Sequence, residues 1–240
     1  MKKLHRGGSS PDGEPLSAGR VEYLEAARQR VRRRRLRRTA ILLAALILVT
    51  LFATGAVGAS IARVKDLVDT VHIALSPAVG WPQQTGLGDL TAVQPMSGSF
   101  AAMDEDACVV YSLGGTRLAG IQSGYARPAL AAGKTRFVLY NRSGNELRVE
   151  SRTQNLYSKT LENSIYLCAM SDTGTLAVAT DSADSTARLT VYTPTMSEQL
   201  HWDMTGTQGT PVRMAFAADS RRLAVAAVTS SAGQLQANLF

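Results

Sequence analysis

The side chains that could do chemistry in this 240-residue chain are few and scattered. The histidines His5, His72 and His201 stand far apart, and no Cys/His cluster has the spacing of a metal site. Acidic stretches at residues 104–106 and 181–184 could hold Ca²⁺ weakly, but neither has the pattern of the twelve-residue calcium loop. We therefore expect solvated turns at both places and no metal site.

Motifs for nucleophilic catalysis or cofactor binding are also missing from the sequence. It contains no Gly-x-Ser-x-Gly elbow, no phosphate-binding P-loop and no Rossmann glycine fingerprint. The tripeptide His-Trp-Asp at 201–203 could supply part of a hydrolytic triad, but serines are too numerous for spacing to identify a partner. We expect no catalytic residue and no cofactor, and a binding role rather than an enzymatic one.

The two cysteines, Cys108 and Cys168, leave two interpretations open. An even number of cysteines outside the cytoplasm favours a disulfide, which requires Cα atoms within about 7 Å of each other. The repeat described below places Cys108 on an outer strand of one unit and Cys168 on an inner strand of another. That separation favours buried free thiols, with a disulfide as the alternative.

The element that positions everything else is an apolar run. Residues 39–62 form 24 positions without a charged side chain, between Arg38 and Arg63. A bilayer core about 30 Å thick requires about 20 such residues in a helix. We predict a single transmembrane helix over residues 39–62 that continues as a stalk to about residue 75. The alternative is a signal peptide cleaved after Ala59.

Charge sets the predicted orientation of this span. Residues 1–38 contain twelve Lys/Arg and four Asp/Glu. The whole chain has 26 Lys/Arg and 19 Asp/Glu, so 14 basic and 15 acidic residues remain from residue 39 onward. Basic residues beside a span stay in the cytoplasm. We predict a cytoplasmic N-terminus in the plasma membrane and an extracytoplasmic C-terminal domain. The topology-determining residues are Arg30, Arg32, Arg33, Arg34, Arg35, Arg37 and Arg38.

The predicted partners follow from this division of the chain into a basic tail, an apolar span and an outer domain. The lipid bilayer holds the span, and anionic headgroups can bind the arginine run at about 1 kcal/mol per basic residue. Because the positive charge belongs to a short tail rather than to a folded surface, we expect no nucleic-acid partner.

The remaining N-terminal and linking segments have distinct compositions. Residues 1–19 are rich in Gly, Ser and Pro and predict a disordered tail, and residues 20–38 predict a basic juxtamembrane helix. After the span, apolar residues at helical spacing predict an amphipathic stalk that could pair with a second copy or pack on the outer domain; they are Val64, Leu67, Val68, Val71 and Leu75. Residues 76–95 are dense in Gly and Pro and predict a linker, with a short strand near residues 90–93 as an alternative within it.

From residue 96 to 240 the pattern predicts an all-β domain that repeats itself. Segments 127–140, 167–180 and 213–226 each read as strand, polar turn and apolar strand. Phe137, Leu176 and Leu223 correspond, 39 and 47 residues apart. A period of about 40–45 residues with four short strands is typical of a propeller blade. We predict a partial β-propeller of three to four blades; the alternative fold is a β-sandwich.

The predicted units are an incomplete first one at about 88–123, full ones at 124–163 and 164–209, and a fourth that stops at the last residues. A sheet that stops in this way leaves an unpaired strand edge, so we expect the natural chain to be longer.

The turn sequences carry a resemblance to known propellers. Residues 170–178 read Met-Ser-Asp-Thr-Gly-Thr-Leu-Ala-Val, and residues 216–225 follow the same pattern more loosely. These segments resemble the blades of WD40-like and related bacterial propellers. Residues 30–240 as a whole resemble a family of bacterial single-pass membrane proteins with a propeller-like outer domain and unknown function.

The resemblance implies recognition of a protein, peptide or glycan outside the cytoplasm. Five aromatic residues could partly line the binding face, although aromatics at strand positions belong more often to the core; they are Tyr125, Tyr140, Tyr157, Tyr166 and Trp202. Two other functions stay open: the N-terminal part of a membrane-anchored propeller enzyme of hydrolase or quinoprotein type, and a transmembrane regulator that acts through the basic tail.

Overall fold

The computed structural model describes residues 56–231 and 233–240. The predicted tail, the basic juxtamembrane helix with its seven arginines and most of the predicted span lie outside these residues. Within the described ranges, no helix combines the length and the apolar character that crossing a bilayer requires.

One helix precedes the sheets. Helix α1 spans Ala56–Leu75. The Ser76 hydroxyl donates to the carbonyl of His72 at 2.8 Å, which satisfies an otherwise free carbonyl of the last turn. Pro77 follows and cannot continue the helix.

The rest of the described chain consists of four antiparallel sheets, each built from consecutive strands. Sheet 1 contains β1 (Ala92–Met96), β2 (Ser99–Met103), β3 (Ala107–Ser112) and β4 (Arg117–Gln122). Sheet 2 contains β5 (Pro128–Ala132), β6 (Arg136–Asn141), β7 (Glu146–Ser151) and β8 (Asn155–Thr160). Sheet 3 contains β9 (Ile165–Met170), β10 (Leu176–Thr180), β11 (Ala187–Tyr192) and β12 (Glu198–Met204). Sheet 4 contains β13 (Thr210–Phe216), β14 (Leu223–Ser231) and β15 (Gln234–Leu239).

The first strands of the four sheets lie side by side. Strand β9 packs against both β5 and β13, and β5 packs against β1. Each sheet therefore runs outward from a common inner edge, as the blades of a propeller do. The prediction of an all-β, propeller-like domain is confirmed. The described residues form four sheets, in agreement with the predicted three to four blades.

The apolar strands of sheets 2 and 3 are buried on both faces because each of these two sheets lies between two others. On β6, Phe137 and Leu139 pack in a cluster with Met103 and Val110 of sheet 1. The alternate residues Val138 and Tyr140 pack with strands of sheet 3. Both sets of side chains on one strand must then be apolar, which explains the absence of in/out alternation in the sequence. Each fully buried Val, Leu or Phe contributes about 1.5–3 kcal/mol.

One boundary differs from the sequence prediction. Strand β1 begins at Ala92, inside the predicted linker, and it contains Pro95. It lies at the edge of its sheet, where the missing N–H of a proline costs no ladder hydrogen bond. The first repeat unit, predicted to be incomplete, is a full four-stranded sheet as a result.

Two buried arginines join α1 to the sheets. Arg136 and Arg152 are only 2% and 1% exposed. Arg136 Nε donates to Asp66 Oδ1 on α1 at 3.1 Å, and its Nη1 donates to the carbonyl of Pro194 in sheet 3 at 2.7 Å. One side chain thereby connects the helix, sheet 2 and the turn before β12.

Arg152 makes the corresponding connection toward sheet 1. Its Nη2 donates to Thr70 Oγ1 at 2.7 Å and to the Asp66 carbonyl at 3.2 Å, and its Nη1 donates to the Ser97 carbonyl at 2.9 Å. Burial lowers the pKa of Arg152, while the charges of Asp69 and Asp66 raise it. We call Asp66, Asp69, Thr70, Arg136 and Arg152 the docking cluster.

The docking cluster predicts a measurable loss of stability. Asp66→Ala leaves the buried Arg136 without its carboxylate, and breaking a buried ion pair costs about 3 kcal/mol. Alanine has the higher helix propensity, so a loss cannot come from the helix itself. Urea unfolding of the full chain in detergent, followed by tryptophan fluorescence, measures the change.

The exposed Arg188–Asp203 pair, with Nε and Oδ1 2.6 Å apart, provides the matched control. Solvent screens such a pair, so Asp203→Ala is expected to cost far less. Equal losses for the two variants would contradict a structural role of the docking cluster.

Candidate functional site

The polar residues singled out from the sequence are held in local contacts. His201 Nδ1 lies 3.0 Å from Glu198 Oε1, while Asp203 pairs with Arg188, so the hydrogen-bond partners of His201 and Asp203 lie outside the tripeptide at 201–203. The hydrogen bond from Arg188 holds the pKa of Asp203 below its usual range.

The first acidic stretch is a turn rather than a ligand set. Asp104 accepts backbone N–H bonds from Gly88 at 2.8 Å, Asp106 at 2.9 Å and Ala107 at 2.6 Å. These hydrogen bonds lower the pKa of Asp104, and the bond from Gly88 has the largest effect. Among the described residues, no group of three His, Cys, Asp or Glu side chains converges as metal ligands would.

Both cysteines are buried free thiols. Cys108 lies on β3 and Cys168 on β9, in different core clusters, which selects one of the two interpretations left open by the sequence. Burial raises the pKa of Cys108 to about 12, with Glu150 and Asp104 adding to the rise, and burial also raises the pKa of Cys168. Neither thiol forms the nucleophilic thiolate at neutral pH.

An apolar groove of about 590 Å³ lies between sheets 3 and 4. Trp202 and Phe240 form its aromatic part, with ring centroids 5.3 Å apart and planes at 81°. The lining is mostly apolar, with a few polar side chains: Thr175, Leu189, Val191, Gln199, Leu200, Trp202, Phe216, Ser220, Arg221, Leu223, Val225 and Phe240.

Local hydrogen bonds fix the walls of the groove. Phe240 exchanges two backbone hydrogen bonds of 2.9 Å with Val225, which fixes the last residue against β14. In the turn between β13 and β14 of the same sheet, Asp219 Oδ1 accepts a hydrogen bond from the Arg221 N–H at 3.0 Å, which shapes the turn that carries Arg221 into the lining of the groove. The same bond lowers the pKa of Asp219, so its carboxylate is charged at neutral pH.

Strand β15 is the edge strand of sheet 4 in the described residues, and it lies beside the groove. In the described residues β15 pairs with β14 alone, whereas sheets 1–3 each contain a fourth strand. The Phe240–Val225 pair is hydrogen-bonded, and bonding alternates along an antiparallel strand. Leu235, Ala237 and Leu239 therefore direct their backbone N–H and C=O groups away from β14, toward the open side.

This arrangement can do two things at once. The edge of β15 can pair with a further extended segment through main-chain hydrogen bonds, and the groove can take the apolar side chains of that segment. The rim contributes a cation, Arg221, which suits an acidic group near the bound segment.

Sequence reasoning found part of this site and missed the rest. Trp202 was a candidate for a binding face, and it lines the groove; Tyr140 is a core residue instead. Leu200 and Phe240 were not singled out. The available signal was Leu200, an apolar residue within the otherwise polar run Glu-Gln-Leu-His at 198–201.

Four antiparallel sheets arranged around adjacent inner strands, with a groove between the last two, define an all-β, propeller-like domain with a concave site. The chain belongs to DUF5711, a family of unknown function whose model matches residues 79–240. No curated protein matches the chain.

Solved structures similar to the chain include propellers with low sequence identity. Kluyveromyces lactis Hsv2p is 16% identical with a TM-score of 0.44; the match covers 58% of this chain and 46% of that one. The WD40 domain of Neurospora crassa Pan2 is 9% identical with a TM-score of 0.43, and the match covers 63% of this chain and 48% of that one. The chain thus spans about half the length of these structures.

The burial of both thiols predicts their reactivity. We expect Cys108 and Cys168 to resist maleimide at pH 7 in the folded protein and to react once it is unfolded in urea, because only an exposed thiolate attacks. Mass spectrometry after a short maleimide pulse measures the modification. Labelling of the native chain at the rate of the unfolded one would contradict the buried placement.

Proposed function

We propose that this protein is a single-pass membrane protein whose propeller-like domain, outside the cytoplasm, binds an extended segment of a partner protein. The apolar groove of about 590 Å³ between sheets 3 and 4, which lies beside the strand edge of β15, is the observation that carries the binding part of the proposal. The apolar run at 39–62 and the arginines before it carry the membrane part.

The structure of the groove favours a polypeptide over the other ligands considered. An extended peptide adds to an exposed strand through its backbone and places alternate side chains on one face. Leu200, Trp202 and Phe240 offer apolar contacts on that face. A glycan would use the aromatic rings but would leave the strand edge and the aliphatic walls without partners.

Membrane attachment follows from sequence features upstream of the described domain. An uninterrupted apolar segment of 24 residues is long enough to span, and basic flanks keep their side in the cytoplasm. In this arrangement the arginines also contact anionic headgroups of the inner leaflet. The binding domain is thus held near the outer membrane surface, where it meets partners that share the same compartment.

The binding proposal predicts which peptides the domain selects. Immobilised full-length protein in detergent is expected to enrich, from displayed random peptides, sequences with apolar residues at alternate positions. Leu200→Gln should weaken binding of the selected peptides about tenfold, or 1.4 kcal/mol. His201→Gln is the control, because the 58% exposed Leu200 and the 60% exposed His201 side chain are neighbours and only Leu200 lines the groove.

Peptide backbone chemistry separates edge pairing from simple apolar contact. N-methylation of the peptide amides that donate to β15 should abolish binding, whereas N-methylation of the intervening amides should be tolerated. Selected peptides that lack alternation, or equal losses for the two protein variants, would refute recognition at this edge and groove.

The membrane proposal predicts the position of each terminus. An alkaline phosphatase reporter fused after Phe240 should be active outside the cytoplasm, and a fluorescent protein fused before Met1 should remain inside. Replacing the seven arginines at 30–38 with glutamine should produce mixed orientations, because the charge bias is removed. The control replaces Lys2, Lys3 and Arg6, which lie more than 20 residues from the span and should leave orientation unchanged.

A further inference from the structure

The helix α1 docks on the sheets with its polar face. On this face, Asp66 contacts Arg136 and Thr70 contacts Arg152. Asp69 contacts Thr153, and Ile73 is a buried apolar residue of the same face. At 3.6 residues per turn these positions lie on one side of the helix. An amphipathic helix normally turns its apolar face to the core, so this arrangement is inverted.

The apolar face of α1 points away from the sheets. The α1 stripe consists of Val64, Leu67, Val68, Val71 and Leu75, which are 49–79% exposed. Its centre lies about 180° around the helix from the docked face. Five neighbouring apolar side chains left in water at helical spacing indicate a surface that another molecule covers.

The spacing and residue types of the stripe fit a second copy of this chain. Val64 and Val71 take the a positions of a heptad, and Leu67 and Ala74 take the d positions. β-branched residues at a with Leu at d favour parallel two-stranded coiled coils. No charged residue lies on the seam itself, because Lys65, Asp66 and Asp69 fall at other heptad positions, so two copies meet without repulsion.

Size and location argue for pairing in a membrane. A seam of about three helical turns buries much less than the roughly 800 Å² per partner of a stable interface. The apolar run at 39–62 overlaps the start of α1, so two chains anchored in one bilayer would hold their α1 helices parallel and close together. Confinement then supplies the effective concentration that a small seam needs.

We propose that α1 is the seam of a parallel homodimer, formed along the α1 stripe between two membrane-anchored copies. The parallel alignment rests on the proposed membrane anchor. Each propeller-like domain stays docked on the outer side of its own helix, and the edge of β15 plays no part in the pairing.

Cysteine cross-linking in native membranes tests the seam. Val64→Cys and Val71→Cys, at a positions, should give a disulfide-linked dimer under mild oxidation, because facing a residues bring Cα atoms within about 7 Å. Lys65→Cys and His72→Cys are exposed b-position controls and should remain monomeric. The parent chain provides the baseline, since Cys108 and Cys168 are buried.

A second substitution distinguishes specific pairing along the seam from random collisions in the membrane. Adding Leu67→Asp to Val71→Cys should reduce the cross-linked fraction about tenfold, because like charges then face each other across the seam. Adding Lys65→Asp instead should leave it unchanged. Cross-linking at all four single sites to the same extent, or at none of them, would overturn the proposed seam.

Carbonate extraction of the same membranes separates this inference from the proposed function. If the chain resists extraction and the a-position variants do not cross-link, the dimer is wrong and the anchor stands. If carbonate releases the chain and a-position cross-linking persists, the anchor is wrong, and the seam forms without it.

Discussion

The structure depends on two arginines that are buried where a helix meets three sheets. Arg136 and Arg152 each reach α1 with part of the guanidinium group and a carbonyl of a neighbouring sheet with the rest. A guanidinium group suits this role because its five N–H donors diverge in a fixed plane. Both side chains have lost nearly all their solvent, so the carboxylate and carbonyls around them are required for the fold.

The repeat could be predicted from the sequence because its signal is local. The turn at 171–175 and the apolar strand after it recur with the blade period, and each sheet is built from consecutive strands. Strand β1 was assigned to the linker because Pro95 and nearby glycines look like breakers. Its edge position, which makes the proline harmless, is a property of the sheet and cannot be read from the segment itself.

The docking of α1 could not be predicted for a different reason. Periodicity identifies which face of a helix is apolar, but not what each face touches. The partners of Asp66 are about 70 residues away in sequence, in turns that become neighbours only after the sheets have formed. The groove could not be predicted for the same reason. Trp202 and Phe240 belong to different sheets, and their contact follows from the stacking of those sheets.

The two buried thiols have a consequence for where this domain can mature. The chain has only two cysteines and they are free, so no covalent bond between side chains contributes to its folding. Noncovalent interactions, which are packing, hydrogen bonds and ion pairs, therefore stabilise the sheets. Neither an oxidase nor an isomerase is needed to complete the fold, and a reducing environment leaves it intact.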